Sequence, residues 1–300
     1  MSNVRALFRL FLLGPALGLG ACGVPSGPSL KNTDAQEYAS PAQVTLSPQF
    51  NTEANSANSE SVSDAGKSVC PANMVVVAGQ YCLTPEHHCL DEDEGNAGPK
   101  EGPGHCQRYA EPVTCFDARR KSMRFCMDVY EWPNQKGAMP MVLVSWEDAR
   151  ELCASVDKRL CTEEEFNFAC EGEEMRPFVY GYARDPKKCN FDRPYRERKF
   201  TFLSWGMCNM DPDCREAFAA IDQRTPSGNM GDCRSDEGVM DLNGNVNEWV
   251  FLPQNKAPRR SGIKGGWWGP VRNRCRPTVT FHDEGDFGYE VGFRCCADPK

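Results

Sequence analysis

Cysteine constrains this chain more than any other feature. Of its 300 residues seventeen are Cys, and all but Cys22 fall between Cys70 and Cys296. Cytosolic thiols are kept reduced, so this density argues for an oxidising compartment and a disulfide framework. An even set between Cys70 and Cys296 allows every one to be bridged, at about 2–4 kcal/mol per bridge, and the sequence alone leaves the pairing open. Gly, Pro, Asn and Asp interrupt nearly every apolar run, so long helices are few and the domain is expected to be α+β, irregular and coil-rich. The formal net charge of -8, with no block of Lys or Arg, leaves no footprint for nucleic acid, which is excluded as a partner. With only four His, a histidine-rich metal centre has little to build on.

The amino terminus carries Arg5 and Arg9 without an acid and then turns apolar over residues 10–19. About ten apolar residues fall short of the roughly 30 Å of hydrocarbon in a bilayer. The segment therefore reads as the apolar part of an export signal, removed afterwards. Next stands Leu19-Gly20-Ala21-Cys22, which resembles the bacterial lipobox. That resemblance implies a signal peptide over 1–21, a lipid on Cys22 and a membrane as partner. Gly23 stands where some bacterial lipoproteins carry a retaining Asp, which makes the outer membrane of the cell envelope the expected location. Residues 22–67 are rich in Ser, Asn and Pro with no sustained apolar period and read as a disordered tether. Residues 68–300 are expected to form one domain, with its first strand at Met74-Val75-Val76-Val77.

Two helices are legible. Ser145 with Asp148 makes a capping pair, followed by Trp146, Ala149, Leu152, Cys153 and Val156 on one face. Thr162 with Glu165 repeats the start signal ahead of Phe166, Ala169 and Cys170. Read alone, both are ordinary core helices.

Their surroundings carry a resemblance. Val144-Ser145-Trp146-Glu147-Asp148-Ala149, then Cys153, then Lys158-Arg159-Leu160-Cys161-Thr162-Glu163-Glu164-Glu165-Phe166 resembles the central signature of the formylglycine-generating enzyme (sulfatase-modifying factor) family. In the same order follow Met240-Asp241-Leu242-Asn243-Gly244-Asn245-Val246-Asn247-Glu248-Trp249, Lys264-Gly265-Gly266-Trp267, Arg274-Cys275 and Gly292-Phe293-Arg294-Cys295. Residues 125–132 are similar to the family's early strand, which ends in a Glu. The resemblance implies one domain related in fold to C-type lectins. It also implies two pairings, Cys153 with Cys295 and Cys170 with Cys275, and leaves the other twelve open. Among these is Cys161, where the family normally has Pro.

The family's oxidase activity depends on two thiols between Gly-Gly and Arg-Cys, which bind copper(I) and engage a substrate cysteine. Here that stretch, from Gly265 to Cys275, holds no Cys before Cys275 and is shortened, so copper is not expected and no catalytic residue is named. The adjacent Cys295 and Cys296 are read as members of separate structural bridges. His87 and His88 lie in an acidic loop, which reads as a solvated surface and not an iron site.

Calcium is the expected cofactor. Asp241, Asn243, Asn245, Asn247 and Glu248 crowd oxygen donors around Gly244, as hard Ca2+ requires. The resemblance implies the side chains of Asp241 and Glu248 with the carbonyls of Gly244 and Val246, and a second site beginning at Asn190 and Phe191. The alternative is that Asn243-Gly244 makes a tight turn and Glu248 accepts backbone donors. Trp267, Trp268 and Arg272 are candidates for a groove that binds a protein or glycan ligand by stacking, unless one ring fills the core under the short loop. Arg274 and Arg276 would join an anion site there, or pair with Asp283, Glu284 and Asp286. The leading expectation is a lipid-anchored, calcium-stabilised binding or assembly module. The alternatives are an oxidoreductase of the same family with an unrecognised metal site, and a structural envelope lipoprotein.

Overall fold

The computed structural model describes residues 69–93, 105–270 and 273–300. The signal peptide, Cys22, the tether and Arg272 lie outside them. The order of elements is β1 (Met74–Cys82), β2 (Pro85–Glu86), β3 (Cys89–Asp93), β4 (His105–Tyr109), β5 (Thr114–Cys115), β6 (Arg120–Asp128), α1 (Trp146–Ala154), β7 (Arg159–Leu160), α2 (Glu163–Glu171), α3 (Trp205–Met210), α4 (Pro212–Ile221), β8 (Asn247–Phe251), β9 (Ser261–Lys264), β10 (Val291–Phe293) and β11 (Cys295–Ala297). This is the mixed, coil-rich α+β domain the sequence leads one to expect. Among the described residues no helix is long and apolar enough to cross a membrane.

The principal sheet runs β1-β6-β11-β7, and a second runs β10-β8-β9. β1 and β6 pair antiparallel from Met74 opposite Asp128 to Cys82 opposite Arg120. Alternation places Val77 and Tyr81 of β1 inward with Met123 and Phe125 of β6. Both expected helices form. Ser145 and Thr162 each accept from the backbone N–H three residues on, and Asp148 and Glu165 reach back in complete capping boxes. The first helix stops at Ala154, so Val156 lies beyond it and is exposed instead of completing the apolar face.

Cysteine ties these elements together. Eight bridges hold all sixteen described cysteines: 70–126, 82–115, 89–106, 153–295, 161–296, 170–275, 189–233 and 208–214. Successive residues of a strand point to opposite faces, and β11 uses this directly. Cys295 points into the cluster of Trp146, Trp249 and Phe293 and meets Cys153 of α1. Cys296 points into the larger core around Phe166 and Leu242 and meets Cys161. The adjacent pair thus fastens the last strand to both halves of the core. Cys161, at the family's Pro position, is the partner this requires.

Candidate functional site

The loop from 238 to 248 is held in an unusual backbone path. Asp241, Gly244 and Asn245 take φ of 60°, 77° and 56°. Glycine is required in the middle, because a Cβ on Gly244 would lie 2.4 Å from the carbonyl oxygen of Asn190. The N–H of Asn245 donates to that same carbonyl at 2.8 Å. Asn245 is a hub: its Oδ1 accepts from Asn190 Nδ2 at 3.1 Å and from Thr225 N–H at 2.8 Å, and its Nδ2 donates to Glu131 Oε1 at 2.9 Å.

Behind this loop lies a buried group of acids. Glu131, just beyond β6, is fully buried, and its second oxygen accepts from the Ser227 hydroxyl at 2.5 Å. Asp241 accepts from Gly228 N–H at 2.6 Å. Both oxygens of Glu248 accept from Arg294, each at 2.7 Å, and Arg294 also donates to the Met240 carbonyl at 2.8 Å. Burial raises the carboxyl pKa of Glu131 well above the usual range, reinforced by the charges of Asp241 and Glu248 and opposed by Arg294. Burial likewise pushes Asp241 up to about 6. Next to them Asp128 is shielded by Lys158 Nζ at 2.6 Å and Asn134 Nδ2 at 2.8 Å.

The structure brings Asp241 and Glu248 into one buried group. Arg294 occupies both oxygens of Glu248. At the second expected site, where the Asn190 side chain and the Phe191 carbonyl are the expected donors, the Asn190 side-chain oxygen accepts from Arg193 Nε at 2.8 Å, and the Phe191 side chain is buried in the core. Among the described residues no three acidic, His or Cys side chains converge as metal ligands. The donors to Glu248 are the side-chain N–H groups of Arg294 and not the backbone donors of the alternative reading, a partner that sequence reading missed. The residues carrying that pairing, Gly292-Phe293-Arg294, were legible as a motif, but a contact 46 residues away has no local signature. His87 and His282 do not meet either: His87 is bonded to the Met175 carbonyl at 2.7 Å, and His282 lies 3.5 Å from Asp286.

The segment after Gly265-Gly266 is filled by indole. Trp268 is 1% exposed and packs with Val142, Leu143 and Val246, so it is a core residue and not a groove wall; the short loop leaves a volume that its ring fills. Trp267 is half-buried, edge-on to Trp268 at 5.1 Å and to Tyr289 at 5.6 Å. Asn273 closes the turn by donating to the Trp267 carbonyl at 3.0 Å. Arg274 lies over the Tyr109 ring. Arg276 pairs with buried Glu171 and the Cys82 carbonyl, while Asp283 and Glu284 take Arg259 and Arg260. Arg274 and Arg276 are thus engaged at different partners, and Arg272 lies outside the described residues. The sole cysteine of the segment, Cys275, is bridged to Cys170.

Residues 105–299 match the sulfatase-modifying factor enzyme 1-like domain. The chain belongs to this family. Bovine inactive C-alpha-formylglycine-generating enzyme 2 is 29% identical over 171 residues, covering 54% of this chain and 52% of that one. Mouse formylglycine-generating enzyme is 26% identical over 178 residues, covering 53% and 44%. The chain thus spans about half the length of these relatives. Among solved structures PvdO from Pseudomonas aeruginosa aligns over 78% of this chain and 100% of its own, with TM-score 0.43 and 18% identity.

Proposed function

We propose that this sulfatase-modifying-factor-like domain is a binding or assembly module without formylglycine-generating activity, exported and held by a lipid on Cys22 in the bacterial cell envelope, at the outer membrane. The observation that carries the loss of activity is the state of its sulfurs. All sixteen described cysteines are in bridges, and the stretch that needs two thiols offers only Cys275, already joined to Cys170. A bridged sulfur is neither a nucleophile nor a Cu(I) ligand. Trp268 of the same stretch is a buried core side chain. A relative that is itself named inactive supports the same reading. Support for export is the signal-like amino terminus together with a bridge density that only an oxidising compartment sustains.

Structural stability in this reading comes from the bridges and from the Arg294–Glu248 pair; it does not call on calcium, since Glu248 and Asn190 are bonded to arginines and Asp241 to the Gly228 N–H. The test is incubation of the purified chain with copper(I), oxygen and a cysteine-containing sulfatase peptide, followed by mass spectrometry. Unchanged peptide is expected. Conversion of the cysteine to formylglycine would overturn the proposal.

A further inference from the structure

Away from the tryptophans and bordering the acid group through Gly228 and Met240, a cleft of about 330 Å³ opens between Tyr130, Lys136 and the loop that carries Arg234. That volume sits at the low end for ligand sites and suits a compact molecule. The residues lining it include two cations and no acid. Neither Lys136 nor Arg234 makes an ion pair or a side-chain hydrogen bond among the described residues. The acids nearby are engaged elsewhere. Asp236 pairs with Arg176 at 2.7 Å, Glu237 accepts from the Ser235 hydroxyl, and Asp241 is buried on the Gly228 N–H. Exposed Asp232 does not line the cleft. A second cleft, beside α1, also has arginines, but there Arg159 is held by Glu165 and Arg260 by Glu284.

The loop holding Arg234 is rigid. It is anchored by the adjacent Cys189–Cys233 bridge, by Ser235 N–H on the Val239 carbonyl at 2.9 Å and by Asp241 N–H on the Cys233 carbonyl at 2.9 Å. Two glycines shape the walls. Gly238 takes a φ of 92° that side chains rarely adopt, and the Arg234 guanidinium lies beside it at van der Waals distance. Gly228, at φ 74°, admits the Tyr130 ring, which a Cβ would meet at 2.5 Å. The Arg234 side chain, exposed on this anchored backbone, presents a planar fork to an oxyanion. In a chain of net charge -8, two unanswered cations in a concave site focus a local positive field.

The geometry points to a binding site for a small sugar acid or sugar phosphate, its oxyanion held by Arg234 and Lys136 and its body against the Tyr130 ring. This site is independent of whether the domain retains oxidase activity. The test is calorimetric titration of the full chain, bridges intact, with glucuronate, glucose 6-phosphate and glucose, at low and at physiological salt. Saturable binding of one of the two anions, weakened by salt and absent for glucose, is expected. Arg234→Gln and Lys136→Gln should each lower affinity about tenfold with melting temperature unchanged, and Arg234→Lys, which keeps the charge but loses the fork, should fall between the parent and Arg234→Gln. No saturable binding of either anion, glucose binding as tightly, or an affinity unchanged in both neutral variants would overturn the assignment.

Discussion

At the scale of the residue, Trp267 and Trp268 show what sequence can and cannot resolve. Two adjacent indoles after a paired glycine were visible as an unusual feature of the chain, but whether a ring faces solvent depends on the volume left by a loop, which only packing decides. Trp268 is enclosed by Val142, Leu143 and Val246, so Trp268→Ala should cost about 3–5 kcal/mol. Trp267→Ala, removing a half-buried ring, should cost clearly less. Urea unfolding of both variants with bridges intact measures the difference, and equal losses would contradict the assignment of Trp268 to the core. His87 supplies a pH dependence. Burial, the largest cause, lowers its pKa below the ordinary histidine value, although the Met175 carbonyl opposes the shift. Because the folded value is depressed, the unfolded chain binds the proton first as pH falls. The contribution is complete above the ordinary histidine value and is lost as pH drops through the folded one. Stability measured across that window should fall more in the parent chain than in His87→Gln.

At the scale of the element, the two capped helices were legible because the information is local. Ser145 with Asp148 and Thr162 with Glu165 satisfy their own first-turn donors within four residues, and the apolar spacing beyond them needs no tertiary knowledge. Ser145→Ala and Thr162→Ala should each destabilise by about 0.5–2 kcal/mol, read as a lower urea midpoint at unchanged slope. The pair α3 and α4 was not foreseen: their turns are broken by Pro212 and stapled by the Cys208–Cys214 bridge, and neither has the long apolar period by which a helix is recognised. The acid group lay between these extremes. Asp241, Asn245 and Glu248 stood out as a dense run of oxygen donors, which chemistry alone matches equally to calcium or to internal hydrogen bonds. The deciding partners, Arg294 and Glu131, come from β-strand ends far along the chain, and no local rule connects them.

At the scale of the whole molecule, cysteine underlies both the fold and the proposed loss of chemistry. The adjacent Cys295 and Cys296 send bridges to opposite faces of β11, one to α1 and one to the start of α2. The same oxidation that secures the two core clusters leaves none of the described thiols for oxygen chemistry. Their even number announced a framework, while the family's motif order implied only two of its pairs, since connectivity depends on which strands become neighbours. The most direct measurement is a bridge map of the unreduced protein: alkylation under denaturing conditions, proteolysis and mass spectrometry. The result expected is eight bridged pairs as assigned, with no cysteine between Cys70 and Cys296 alkylated. Two alkylated cysteines in that range, one of them Cys275, would contradict it and return a thiol to the segment where the family performs its oxidation.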